Sequence, residues 1–125
     1  MIQFSVFRNK NDEICGFEVT GHGKSEVCAG VSALALNTVN SIFTFTDEEV
    51  TAELPPDDET GYIHVDLPEI RENRATAPPD EKNSVDRRHD VDLLLSSLML
   101  GIQNIQEEYP RQVIIRDEKD PKMII

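Results

Sequence analysis

Ile2, Phe4 and Val6 alternate with polar partners at the start of the chain, and Ile14 to Thr20 alternates less cleanly. Between them Asn9-Lys10-Asn11-Asp12 is rich in turn formers, so residues 1–20 predict a β-hairpin. From Val27 the period changes. Val27, Val31, Leu34, Thr38 and Ile42 recur at steps of three and four, which marks one face of a helix. Ser25 is expected to cap that helix, its hydroxyl accepting from the unpaired N–H groups of the first turn. The helix is expected to end between Phe43 and Thr46, where β-branched and aromatic residues crowd.

Val50 to Leu54 and Gly61 to Leu67 read as two further strands, with Pro55-Pro56-Asp57-Asp58 as the loop between them. In the second, Ile63, Val65 and Leu67 share one face while Tyr62, His64 and Asp66 share the other. Residues 68–85 are polar, contain Pro68, Pro78 and Pro79, and lack periodicity, so they are expected to form a mobile loop. A second helix is expected from about Asp86 to Glu108, with Val91, Leu94, Leu95, Leu98, Ile102 and Ile105 at helical spacing and Pro110 ending it. Val113-Ile114-Ile115 is a last short strand before a charged tail. The order ββαββαβ predicts an α+β fold, a mostly antiparallel sheet with two helices packed on one face.

The chain has 125 residues, enough for a single domain spanning residues 1–125 but not for two well-filled cores. No apolar run approaches the roughly 20 residues that span a bilayer. The opening Met1-Ile-Gln-Phe-Ser-Val-Phe is strand-like and lacks the basic and apolar regions of a signal peptide. The expected address is therefore the cytoplasm, with no membrane partner. The two cysteines, Cys15 and Cys28, do not make a disulfide scaffold, and a reducing compartment would keep both as thiols. Twelve basic against 24 acidic residues leave a net charge of −12. That argues against direct nucleic-acid binding, which needs a basic surface, and would attract a basic partner.

The segment from Gly21 to Ser32 carries the candidate chemistry. It leaves a strand, crosses a short loop between glycines that contains His22, and enters a helix whose first turn holds Cys28. Unpaired N–H groups and the positive end of the helix dipole stabilise a thiolate there. The turn can bring His22 back toward that thiol, giving a nucleophile and an acid/base partner, and the free N–H groups could hold an oxyanion. Composition and spacing alone favour reading Cys28 as a small buried hydrophobe over a nucleophile. Cys15 alternates in phase with Phe17 and Val19 and reads as a core residue, whereas His64 and His89 read as surface residues. Cys15, His22 and Cys28 are three candidate metal ligands, but their spacing matches no paired zinc pattern, so neither a metal nor a cofactor is expected. A redox pair of Cys15 with Cys28 would need the former to leave its strand.

Gly21-His22-Gly23 followed by Val27-Cys28-Ala29-Gly30-Val31-Ser32-Ala33-Leu34, continuing to Val39-Asn40-Ser41-Ile42, resembles the bacterial ribosomal-processing cysteine protease family. Its mark is a Gly-His-Ala turn, a loop, and Val-Cys-Ala-x-Val-Ser on a helix. The resemblance implies a peptidase that removes a short N-terminal extension from a large-subunit ribosomal protein. It implies Cys28 as nucleophile, His22 as acid/base, Ser32 as a supporting serine one helical turn on, and a homodimer. Gly23 stands where the family usually has Ala, the loop of residues 23–27 is shorter than in many members, and Ser25 stands where many have Asp. If that Asp orients the histidine, Ser25 or Glu26 takes over its role. The short loop and missing Asp also keep a second reading open, a non-catalytic acidic module that binds a basic ribosomal protein.

Overall fold

The computed structural model describes residues 1–54, 62–72 and 84–119. The elements run β1 (Ile2–Arg8), β2 (Ile14–Gly21), α1 (Ser25–Phe45), β3 (Thr51–Glu53), β4 (Tyr62–Asp66), α2 (Pro68–Arg71), α3 (Ser84–Glu108) and β5 (Val113–Lys119). The five strands lie in the order β3-β4-β2-β1-β5. Three of the four pairings are antiparallel, but β1 and β5 run parallel, Ile2 opposite Val113 and Phe4 opposite Ile115. The expectation of a mostly antiparallel sheet thus holds except at this edge. The exception follows from connectivity: α3 carries the chain from β4 back past β2 and β1, so β5 restarts in the direction of β4, which is also that of β1.

The connection β2-α1-β3 crosses over in the same way in the opposite direction along the sheet. Right-handed crossovers from two antiparallel strands toward opposite edges put both helices on one face, and both contribute to a single core. From the sheet it takes Ile2, Phe4, Val6, Phe17, Val19, Ile63, Val65 and Val113, and from the helices Val27, Val31, Ala35, Ile42, Val91, Leu95, Leu98 and Ile102. Phe4 and Phe17 stack at 5.7 Å within it. Where the helices meet, Gly101 faces Leu34 so closely that a methyl group there would lie 2.8 Å from its Cδ1. By length and composition α1 could cross a bilayer, contrary to the reading of the sequence alone. Here Val27, Val31, Ala35, Thr38 and Ile42 are its buried stripe against the sheet.

The β1–β2 turn forms as expected, and Asn9 organises it. Its Oδ1 accepts the N–H groups of Asn11 and Glu13 at 2.9 and 3.0 Å, while its amide donates to the Ile70 carbonyl at 2.7 Å. Asp12 takes the left-handed conformation, which a short polar side chain tolerates. Two expectations are corrected. Pro68–Arg71, assigned to the loop, is a short helix that buries Ile70, and four residues are too few to display a helical period. The last helix begins at Ser84 rather than near Asp86. The rest of the expected mobile loop, 73–83, and the Pro55–Asp58 turn lie outside the described residues, although β3 and β4 pair antiparallel as expected.

Candidate active site

At the end of β2 the chain must leave the sheet and enter α1 within a few residues, and Gly21 makes the exit. Its φ of 89° is one that side chains rarely adopt, and a Cβ there would run into the Met1 carbonyl oxygen. His22, Gly23 and Lys24 then form the loop, and α1 starts at Ser25. Ser25 is therefore the first helical residue and not the cap. Lys24 takes the cap position, with extended backbone and no side-chain hydrogen bond to the first turn. The Val27 and Cys28 amides both donate to the Lys24 carbonyl, at 3.0 and 2.9 Å. The Cys28 N–H is thus already engaged, which leaves Ser25 and Glu26 as the amides ahead of the first intrahelical bond.

A cleft of about 460 Å³ opens between the end of β2, the start of β1 and the first two turns of α1. His22, Ser25, Cys28 and Ser32 all line it, beside the apolar floor of Ile2, Val19 and Val31. The four residues singled out from the sequence are brought to one place. Cys28 and Ser32 are half-buried on the same helix face, one turn apart, while His22 and Ser25 are exposed at the rim. Among the described residues no hydrogen bond joins His22 to Cys28. The thiol is held by Gly23 instead, accepting its N–H at 3.3 Å and approaching its carbonyl oxygen at 3.5 Å.

Cys15 does not belong to this cleft. It is 1 % exposed in the core, and it lies six positions from Gly21 along β2, about 20 Å at the usual strand rise. That separation rules out both a shared metal with His22 and Cys28 and a disulfide with Cys28. His64 lies on the helix-free face of the sheet, half-buried, with Nδ1 2.9 Å from Glu18 Oε2 and its ring 6.2 Å from that of Phe7. His89 is exposed beside Asp90. On the same open face the Tyr62 phenol is pushed above its ordinary range by burial and by the charges of Glu18 and Glu53.

Two contacts at the site were not assigned from the sequence. The Gly23 backbone, the thiol's direct partner, was marked only by the paired glycines of Gly21-His22-Gly23. Gln112 reaches the loop from the far end of the chain, its Oε1 accepting the Lys24 N–H at 2.9 Å, and no local pattern announces it.

A sequence model of the family described as cysteine protease Prp matches residues 1–114. The ribosomal processing cysteine protease Prp of Bacillus subtilis is 27% identical over 115 residues, covering 87% of this chain and 90% of that protein. Its counterpart from Staphylococcus aureus is 27% identical over 120 residues, covering 90% and 95%. The crystal structure of SMU.848 from Streptococcus mutans is similar with a TM-score of 0.69 and 29% identity, covering 96% of each chain. An essential ribosomal processing protease Prp from S. aureus, solved with a covalently linked product peptide, is similar with a TM-score of 0.70 and 25% identity, covering 94% of this chain and 99% of that one.

Proposed function

The chain belongs to the cysteine protease Prp family, and from that premise we propose that Cys28 and His22 form the catalytic pair of an endopeptidase that removes an N-terminal extension from a large-subunit ribosomal protein. The chain is a cysteine peptidase; the pair and the substrate are the proposal. The observation that supports the pair is that Cys28, His22 and Ser32 line one cleft, with the sulfur half-buried near the start of α1. The relatives named as ribosomal processing proteases support the substrate.

In this mechanism the His22 imidazole takes the Cys28 thiol proton and the sulfur attacks the scissile carbonyl, forming a C–S bond. The oxyanion is held by the Ser25 and Glu26 amides, which have no intrahelical acceptor. Collapse breaks the C–N bond, and His22 returns its proton to the departing amine. Water, activated by His22, then hydrolyses the thioester and frees the thiol. The Ser32 hydroxyl, one turn along α1, lends a polar contact inside the cleft, and Ser25 stands at its rim. His22, exposed and not yet bonded to the thiol, closes on it as substrate fills the cleft, a tightening usual for catalytic hydrogen bonds. The enzyme acts in the cytoplasm, where thiols stay reduced, without metal, cofactor or direct nucleic-acid contact. It acts as a homodimer, for which Leu36, Phe43, Leu93 and Leu100, exposed on the two helices, supply apolar surface.

The test is cleavage of the host's purified large-subunit ribosomal proteins, read by mass spectrometry for wild type and Cys28→Ala. One N-terminal truncation by wild type alone is expected. His22→Ala should slow it by about a hundred- to ten-thousandfold. Equal cleavage by Cys28→Ala would end the reading, and binding without cleavage by either protein would replace it with the acidic binding module.

A further inference from the structure

We infer that Gln112 is a positioning residue for the Cys28 thiol, and that Gly23 lacks a side chain in order to admit the Gln112 amide. The inference rests on Cys28 being the nucleophile. Gln112 lies in the turn between α3 and β5 and has a fixed backbone: its N–H donates to the Tyr109 carbonyl at 2.9 Å, and its carbonyl accepts the Ile2 N–H at 2.7 Å. From that anchor its Oε1 accepts the Lys24 N–H at 2.9 Å.

That N–H belongs to the Gly23–Lys24 peptide, a planar trans unit whose N–H and C=O point in opposite directions. Fixing the N–H on Gln112 therefore aims the C=O the other way, where it meets Cys28 Sγ at 3.5 Å. The next N–H back, that of Gly23, reaches the same sulfur at 3.3 Å. Lys24 in turn receives the first two amide bonds of α1, and no side chain caps that helix. One remote amide thus sets the orientation of the loop that grips the sulfur.

Gly23 completes the arrangement. Its φ is not in the left-handed range, so the glycine is not needed for backbone conformation. A Cβ there would lie 2.7 Å from Gln112 Oε1 and 3.3 Å from Ile2 Cδ1. The first of these is the end of a flexible side chain, which would swing away and release the Lys24 N–H without unfolding the protein.

The experiment measures kcat and KM on the ribosomal protein that wild type truncates, with the iodoacetamide alkylation rate of Cys28 at fixed pH alongside. Gln112→Leu should lower kcat about ten- to a hundredfold, as small misplacements of a reacting group do, with KM little changed. Gln112→Glu keeps an acceptor oxygen and should restore most of the rate. Gly23→Ala should resemble Gln112→Leu, and the double variant should be no worse than the poorer single one, because both remove the same contact. Wild-type kcat in Gln112→Leu, equal losses in Gln112→Leu and Gln112→Glu, or additive losses in the double variant would each overturn the inference. If Cys28→Ala cleaves like wild type, the proposed function fails on its own account. The alkylation rate, slowed in Gln112→Leu and Gly23→Ala but not in Gln112→Glu, then still decides whether Gln112 holds the thiol.

Discussion

At the scale of single residues, the two thiols differ in access. Cys28 is half-buried in an open cleft, whereas Cys15 is 1 % exposed. Iodoacetamide applied to the folded protein should therefore modify Cys28 alone, with Cys15 reacting only after denaturation; peptide mapping checks this, and early labelling of Cys15 would contradict its place in the core. Gly21 makes a second residue-scale prediction. Its left-handed φ and its approach to Met1 are both closed to alanine, so Gly21→Ala should cost more than about 1 kcal/mol of stability in denaturant titration. His22 and Cys28 were legible as site candidates from local spacing on a strand end and a helix start, Ser25 and Ser32 only through the family resemblance. The role given to Ser25 as a cap was not, since only the path of the backbone decides which residue of the loop becomes the first of the helix.

At the scale of elements, α3 is fastened at its beginning as well as along its core stripe. Arg88 Nε meets Glu48 Oε1 at 3.0 Å, and its Nη1 lies 3.6 Å from Glu13 Oε2, so one guanidinium ties α3 to the segment after α1 and to the β1–β2 turn. The Glu48 side chain is fully buried, and Arg88 is 22 % exposed. Arg88→Ala should destabilise the fold by about 3 kcal/mol, the low end for breaking a buried ion pair, because it strips a partner from a buried carboxylate. A midpoint in chemical denaturation equal to that of wild type would show that the pair carries no net weight. The two long helices, α1 and α3, and most strands were legible because their apolar periods are regular. The short α2 and the parallel setting of β5 were not: the first has too few residues to show a period, and the second depends on which edge the chain returns to after α3.

At the scale of the whole molecule, a net charge of −12 on 125 residues makes the folded state repel itself. Salt shortens the reach of that repulsion to about 8 Å at physiological ionic strength, so the thermal midpoint should rise as sodium chloride is raised from near zero to that level. A flat or falling midpoint would mean that the ion pairs Arg8–Asp117, Arg71–Asp66 and Arg88–Glu48 outweigh the excess of acid. The sequence by itself determined the α+β class, the helix-forming stretches, the inward-facing residues of the sheet and the neighbourhood of Cys28 with His22, since periodicity and adjacent residue types are local properties. Only the tertiary structure decided that β5 lies beside β1, and so brings Gln112 against the His22–Cys28 loop. It also decided that the thiol bonds to Gly23, whereas the core place of Cys15 was already legible in its alternation with Phe17 and Val19. Contacts between positions 88 residues apart are set by the crossover of α3 and the closure of the sheet, which no stretch of chain encodes on its own.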